Sequence, residues 1–169
     1  MAAISYYGRF CPDISVDSGD KNGIERAMVL AASAEANGDV PVGAILVCDN
    51  KIFEGKNEKE LRGDATAHAE MLALQRAASE LKAWRLPDAT MYVTKEPCVM
   101  CAGAMVAARI KRLVYGCKDP KGGAAGSVVN LVQNPELNHR IDVTGGVLEE
   151  ETAAQLQAFF RKRRKTGPP

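Results

Sequence analysis

The chain has 169 residues and a mass of 18.1 kDa, which suits one domain with its own hydrophobic core. Apolar residues make up 46% of the sequence and charged residues 25%, a balance that excludes an intrinsically disordered chain. The formal net charge is +1, but residues 161–165 hold five of the 22 Lys and Arg side chains, so residues 1–160 carry a net charge of −4. A basic end on an acidic body is either a solvated helix terminus or a contact for nucleic acid.

No apolar run reaches membrane-spanning length and the start has no export signal, so we expect a cytoplasmic protein without a membrane segment.

The domain organisation follows from where the sequence becomes periodic. Residues 1–21 show no steady period, and we expect a poorly ordered leader there, followed by one domain over residues 22–165 and a tail over residues 166–169. The five cysteines are odd in number, which argues against a disulfide framework. Cys48 and Cys117 each end an apolar run, so we interpret both as buried core residues.

The first predicted elements are a helix and a β-hairpin. Residues 24–36 have the Ala, Met and Leu content of a helix. Residues 42–48 form an unbroken apolar run, which indicates a strand buried on both faces. The dipeptide Asp49-Asn50 is typical of a two-residue hairpin turn, and it leads to a partner strand over residues 51–55.

The next predicted elements form a strand, helix, strand unit. After a polar loop, residues 67–81 predict a helix and residues 90–94 a strand. The helix over residues 98–109 contains no charge before its last residue, so both of its sides need apolar cover. A strand over residues 112–116 follows, and a right-handed crossover would make the two strands parallel. A second subunit could cover the outer side of the apolar helix, and we favour a dimer.

The last predicted elements complete a mixed sheet. A glycine-rich loop over residues 122–126 leads into a short helical stretch over residues 128–132, a strand over residues 140–144 and a final helix from Leu148. Together, the predicted helices and strands indicate an α/β fold, with a five-stranded mixed sheet and helices on both of its faces.

Two cysteines three residues apart stand at the start of the apolar helix. Cys98 and Cys101 share a helix face, and the positive helix end favours the thiolates that a metal ion requires. Two thiolates are half of a zinc site, and the chain has two histidines to add to them. His139 is one candidate, but His68 is the better one because it begins a helix and is followed by Glu70. One imidazole and two thiolates leave a fourth position open, which is typical of catalytic zinc.

Glu70 is not needed as a ligand, so its carboxylate is available to move protons. Zinc lowers the pKa of a water to about 7, and a nearby carboxylate then serves as general acid and base. Taken alone, His-x-Glu would indicate only two polar residues at the start of a helix. The Pro-Cys-x-x-Cys motif that begins 27 residues after Glu70 makes a catalytic site the better interpretation.

With these motifs the chain resembles the zinc-dependent deaminases of nucleosides and nucleobases, whose signature is His-x-Glu with Pro-Cys-x-x-Cys. More narrowly, it is similar to the bacterial tRNA adenosine deaminases, which make inosine at the wobble position of the anticodon. The similarity extends over about residues 24–165. It rests on Asp39–Ala44, Asn57, Thr66–Glu70, Glu96–Ala104, Gly123–Ser127 and Asn138–Arg140.

The resemblance implies a cytidine deaminase-like fold, a three-layer α/β/α arrangement that forms a homodimer with the active sites near the subunit interface. It implies hydrolytic, Zn²⁺-dependent deamination, with a tRNA anticodon stem-loop as the substrate. By the same resemblance the zinc ligands are His68, Cys98 and Cys101, and Glu70 shuttles protons. Asn57 would hydrogen-bond the flipped nucleotide, with Val42 and Ala69 lining its pocket. The anticodon loop would be contacted by Asp119, Phe160 and the basic end, including Arg163.

Two positions differ in charge from the family pattern. Glu58 stands where arginine is expected and would weaken a phosphate contact, and Lys95 stands where an apolar residue is expected.

Two other interpretations of the sequence remain open. A zinc deaminase of free nucleobases or nucleosides, of the guanine or cytosine type, would share the metal site but needs no basic tail. A non-catalytic zinc protein or a thiol-redox protein would use Cys98 and Cys101 and leave Glu70 without a role.

Overall fold

The computed structural model describes residues 19–166 of the chain, so most of the expected leader and tail lie outside the described residues. Five helices and five strands are found there. In chain order they are α1 (Asp20–Ala36), β1 (Gly43–Cys48), β2 (Lys51–Lys56), α2 (Lys59–Arg62), α3 (Ala69–Leu81), β3 (Thr90–Lys95), α4 (Val99–Ala107), β4 (Arg112–Cys117), β5 (Asp142–Gly145) and α5 (Glu149–Thr166).

The strands form one mixed sheet in the order β2-β1-β3-β4-β5. β1 is antiparallel to both β2 and β3, while β3, β4 and β5 run parallel to one another. This confirms the predicted five-stranded mixed sheet and the parallel pair on either side of the apolar helix. Asp49 and Asn50 both have positive φ angles, of 52° and 58°, so the hairpin turn also lies where the sequence predicts it.

Helices cover both faces of this sheet because successive strand residues point to opposite sides. Met91 and Val93 pack in the core with α3 and α4. Tyr92, between them, points to the other face, where its ring lies so close to α1 that a Cβ at Gly23 would overlap it. Gly43 and Gly55 let the backbones of α1 and α3 approach the sheet closely, one on each face. The catalytic candidates can therefore gather only at the ends of the strands and at the helix termini above them.

The apolar helix α4 is covered on one side only within the single chain. Cys101, Ala102 and Met105 are fully buried against α3 and the sheet. On the opposite side Val99 is 57% exposed, and a Cβ added to Gly103 would meet no atom within 4 Å. The sequence predicts that both sides of α4 need apolar cover, and the described residues cover one of them.

Two local predictions differ from the structure. The short helix expected over residues 128–132 is wrong: the segment forms irregular turns with an isolated bridge between Ala125 and Asn130. Its amides bond across the loop, as when Leu131 N–H donates to the Ala124 carbonyl, rather than to the carbonyl four residues earlier. The loop before α3 contains the short helix α2, which the polar sequence did not indicate. Among the described residues, no helix combines the length and the apolar character of a membrane span.

Candidate metal centre and adjoining pocket

Three ligand-type side chains meet where α3 and α4 begin. His68 occupies the N-cap position of α3 and Cys98 that of α4, both in extended backbone conformation, and Cys101 lies in the first turn of α4. His68 Nδ1 is 3.7 Å from the sulfur of Cys98 and 3.6 Å from that of Cys101, and the two sulfurs are 3.7 Å apart. These three atoms form a group that could hold one metal ion. His68 lies just before the first helical turn, so it can share a site with Glu70.

Proton sharing within this cluster favours an ionised thiol. The hydrogen bond between the two thiols lowers the pKa of Cys98 to about 3, and the pKa of Cys101 rises correspondingly. The contact with the Cys98 sulfur raises the pKa of His68, against the effect of burial. The helix N-terminus at Cys98 acts in the same direction, because its dipole favours negative charge.

Glu70 is a buried carboxyl group beside the cluster. It is 3% exposed, in the first turn of α3, and burial raises its pKa. The imidazole of His68 acts against this rise, which shows that the two groups are close enough to interact. A carboxyl group with a raised pKa next to a metal-type cluster is suited to take up and release a proton during a reaction.

A cavity of about 220 Å³ opens directly onto these groups. Its walls include four of the residues predicted to contact substrate, namely Val42, Asn57, Asp119 and Phe160. A cavity of about 150 Å³ already accommodates benzene, so this one has room for a single planar base. Ala69 lies elsewhere: it is fully buried, with its carbonyl packed against Gly55 of β2.

The pocket also contains residues that the sequence did not single out for a site. Val40, Lys59, Lys95 and Glu96 line it together with the predicted residues. They are drawn from different elements, and sequence spacing carries no signal for such a grouping. Val40 and Glu96 belong to segments that carry the family resemblance, and Lys59 and Lys95 lie within two residues of such a segment or residue.

Asn57 is held in place by a buried carboxylate. Its side-chain amide donates to Asp39 Oδ1 at 3.4 Å. The same carboxylate accepts hydrogen bonds from the backbone N–H groups of Glu60 at 2.9 Å and Leu61 at 3.1 Å, which satisfies donors at the start of α2. Asp39 is fully buried, so α2 and Asn57 are fixed by one group.

A basic groove of about 820 Å³ adjoins the pocket. Lys118, Lys121, Arg161 and Arg164 line it, and Lys95, Asp119 and Phe160 belong to both cavities. Phe160 is 44% exposed. The end of α5 and the loop after β4 therefore bring positive charge from two distant parts of the chain to the mouth of the pocket.

Lys95 and Asp119 form an ion pair at this mouth. Lys95 Nζ lies 2.6 Å from Asp119 Oδ2, and Asp119 Oδ1 accepts the backbone N–H of Lys121. Burial alone would raise the pKa of Asp119, but these hydrogen bonds outweigh it and lower the pKa. The carboxylate is thus ionised and charge-balanced where the pocket meets the groove.

Arg163 occupies a different position from Arg161 and Arg164. Its guanidinium lies 5.5 Å from the centre of the Phe159 ring, a cation–π contact, and the side chain is half-buried. Phe159 itself is a core residue, 5% exposed. Arg163 therefore packs against the domain instead of lining the groove.

Glu58 does not place negative charge at the groove. It is 8% exposed and is paired with Arg62, whose Nε lies 2.5 Å from its carboxylate. Arg62 therefore neutralises the charge of Glu58, and the effect of this position on a phosphate contact stays a prediction.

The remaining candidates from the sequence lie away from the site. His139 Nε2 donates to the Ile110 carbonyl at 2.7 Å, and His139 is not part of the metal-type group. Cys48 and Cys117 are buried, at 6% and 5% exposed, as expected of core residues.

Comparison with known proteins identifies relatives over most of the chain. The sequence model of the MafB19-like deaminase family matches residues 19–164. The tRNA-specific adenosine deaminase of Bacillus subtilis is 47% identical over 143 residues, covering 84% of this chain and 89% of the relative. The tRNA-specific adenosine deaminase of Haemophilus influenzae is 48% identical over 148 residues, with 86% of both chains covered. A solved structure from a study of A-to-I editing by tRNA:A34 deaminases at the wobble position has a TM-score of 0.75 and 44% identity, over 79% of this chain and 97% of the other.

Proposed function

The chain belongs to the tRNA-specific adenosine deaminase family, and from this membership we propose that it hydrolyses adenosine to inosine at the wobble position of a tRNA anticodon. One observation carries the proposal: a pocket with a His/Cys/Cys cluster and a buried glutamate opens into a groove lined by lysine and arginine. The pocket supplies the chemistry, and the groove supplies the attraction for a polyanion. A tRNA substrate also fits the cytoplasmic location expected from the sequence.

The residues present fit a zinc ion. Zinc bonds of about 2.3 Å to sulfur and about 2.0–2.1 Å to nitrogen, at tetrahedral angles, place two sulfurs about 3.8 Å apart and a sulfur and a nitrogen about 3.6 Å apart. The separations in the cluster are 3.7 Å between the sulfurs and 3.6 and 3.7 Å from nitrogen to sulfur. We therefore propose that His68, Cys98 and Cys101 would hold the zinc ion, and two of them, His68 and Cys98, also line the pocket.

Glu70 carries out the proton transfers in the proposed reaction. A zinc ion in such a site lowers the pKa of a water molecule towards 7, which makes the water a nucleophile. Glu70 accepts a proton from the attacking water and delivers it to the amino nitrogen that leaves C6 of adenine as ammonia. Overall, one water molecule is consumed, the C6–N bond breaks, and inosine and ammonia are formed. Burial suits Glu70 to this role, because it raises its pKa towards the working pH.

The pocket selects a base that has left its stack. Enzymes that act on a base extrude it into a closely fitting pocket, and a loop opens more easily than a duplex. Val42 provides an apolar wall, and Asn57 provides hydrogen-bonding groups whose direction Asp39 fixes. Ala69 is buried in the core, so we propose that it supports the wall from behind rather than contacting the nucleotide.

The groove holds the rest of the anticodon stem-loop. Lys118, Lys121, Arg161 and Arg164 provide phosphate contacts, and the exposed ring of Phe160 provides a surface for an unpaired base to stack on. Asp119 lies where the pocket and the groove meet, within reach of the flipped nucleotide. A deaminase of free bases would have no use for this groove.

We further propose a homodimer that covers the outer face of α4. This face carries Val99, Gly103 and Ala107 in one exposed stripe, and the nearby loop adds Val128 and Val129 at 54% and 42% exposed. Apolar surface of this kind is typical of subunit contacts. Because α4 also begins at the metal ligand Cys98, the interface would lie close to the active site.

The test of the function compares RNA with a free nucleoside. The purified protein is incubated with an anticodon stem-loop that carries adenosine at the wobble position, and in parallel with free adenosine. We expect inosine in the RNA, and Glu70→Ala serves as the inactive control. Equal or faster turnover of the free nucleoside or of free nucleobases would instead support the free-nucleobase deaminase.

A further inference from the structure

Glu96 is a buried carboxylate with no part in the proposed chemistry. It lies between the end of β3 and the metal ligand Cys98, and it is 2% exposed. Its Oε1 accepts the backbone N–H groups of Ala125 and Ser127, both at 3.0 Å. Its Oε2 accepts the backbone N–H of Asp119 at 3.0 Å and the Ser127 hydroxyl. All four donors belong to one loop, residues 118–127, which we call the β4 loop.

Other contacts tie the β4 loop to the same short stretch of chain. The Ala124 N–H donates to the Pro97 carbonyl at 2.8 Å, and Cys98 forms an isolated β-bridge with Gly123. A Cβ at Gly123 would overlap the Glu96 carboxylate, so glycine is what allows this close approach. The loop is thereby held against the segment that carries a metal ligand.

The β4 loop carries groups from both cavities. Asp119 lies at the mouth of the pocket, and Lys118 and Lys121 line the basic groove. The loop has no helix or strand to hold these side chains. Because a buried carboxylate that accepts several N–H groups is costly to disturb, Glu96 ties the loop firmly to the catalytic segment.

We propose that Glu96 is a positioning residue for RNA binding: it sets the β4 loop relative to Cys98 so that Asp119, Lys118 and Lys121 face the anticodon loop. The inference rests on the proposed function and adds to it. Glu96 lines part of the pocket, but it is not in the metal-type group, and its carboxylate oxygens accept hydrogen bonds from the β4 loop. Its loss should therefore raise KM for the stem-loop far more than it lowers kcat.

The variant Glu96→Gln tests this because the amide keeps the shape of the carboxylate but turns one acceptor into a donor. If the amide nitrogen replaced Oε1, it would oppose two backbone N–H groups, of Ala125 and Ser127. If it replaces Oε2, it opposes only the N–H of Asp119, since the Ser127 hydroxyl can rotate and accept. The second orientation costs less, so the substitution selectively releases Asp119.

The experiment measures kcat and KM for the stem-loop, together with bound zinc. We expect Glu96→Gln to retain zinc and to raise KM about tenfold, the effect of losing one hydrogen bond to a charged group, with a much smaller change in kcat. Glu25→Gln is the matched control, because it makes the same chemical change on an exposed carboxylate of α1. It should leave both constants unchanged.

Each other outcome has a definite meaning. An unchanged KM in Glu96→Gln, or a loss of zinc and kcat at constant KM, would overturn the positioning role. If Glu96→Gln does not fold, Ser127→Ala tests the proposal instead, because it removes one donor to Glu96 from an exposed residue. A raised KM in Ser127→Ala supports the proposal, and an unchanged KM overturns it. If the unaltered protein does not deaminate the stem-loop, the proposed function fails, and this result is distinct from an active protein that is indifferent to Glu96.

Discussion

The double variant Arg161→Ala/Arg164→Ala gives the most quantitative test of the basic groove. Both side chains are exposed and line the groove with Lys118 and Lys121. Their cations lie near the end of α5 and are not needed for the core. We therefore expect the variant to fold and bind zinc as before, and to lose two phosphate contacts.

The size of the effect follows from counterion release. Each phosphate contact contributes about 0.7 to the slope of log K against log salt for a single strand, so two contacts contribute about 1.4. Between 50 and 200 mM salt, the affinity of the unaltered protein should then fall about sevenfold more than that of the double variant. Fluorescence anisotropy with a labelled anticodon stem-loop at four salt concentrations measures both slopes.

Arg163→Ala is the matched control, since it removes the same charge from the same helix. Its side chain lies over the Phe159 ring, outside the groove lining. We expect it to lower the melting temperature slightly and to preserve the salt slope. Equal slopes for the double variant and the unaltered protein would refute the assignment of Arg161 and Arg164 to phosphate contacts. A reduced slope in Arg163→Ala would refute the distinction between the two positions.

Four further predictions concern the metal, the proton transfer, the subunit interface and base stacking. Cys98→Ala should lose bound zinc and activity together, while Cys48→Ala keeps both, and elemental analysis that finds full zinc in Cys98→Ala would contradict the ligand assignment. Glu70→Ala should keep zinc and lose at least about 10²- to 10⁴-fold in kcat, the usual contribution of a general acid and base; release of zinc would show that Glu70 is a ligand instead. Gly103→Arg should leave the protomer fold intact, because no atom lies within 4 Å of the added Cβ, but should shift the mass in sedimentation from dimer to monomer. Phe160→Ala should weaken stem-loop binding by about 1–3 kcal/mol at every salt concentration, as loss of base stacking does, and a change in salt slope would argue against stacking.

Much of the candidate site could be predicted because its chemistry is local. His68 and Glu70 lie two residues apart, and Cys98 and Cys101 three apart, so short-range geometry already restricts how each pair can act. The structure adds that the two pairs meet, with the His68 nitrogen 3.6 and 3.7 Å from the sulfurs. The meeting depends on β3, which runs between α3 and α4 and brings their N-termini to the same end of the sheet.

The loop after β4 shows why other parts could not be predicted. The sequence over 128–132 predicted a helix, but the Val128 and Leu131 amides bond to the carbonyls of Gly123 and Ala124. The loop residues just before this segment are held by the Glu96 carboxylate, which accepts the amides of Ala125 and Ser127. Glu96 lies 29 residues from Ala125, so no local window contains the competing acceptor. The pairing of Glu58 with Arg62 is different, because these residues lie four positions apart and a local window contains both.

The mixed five-stranded sheet, the hairpin and the chemical type of the site could be predicted from the residues alone, because side-chain periodicity and turn preferences act over a few residues. The residues that face the ligand could be identified only in the folded chain. The fold places Ala69 in the core and Arg163 on Phe159, and it brings Lys95 and Asp119 together at the mouth of the pocket. A side chain's surroundings depend on contacts between distant segments, and these are set by sheet order and close packing rather than by neighbours in the chain.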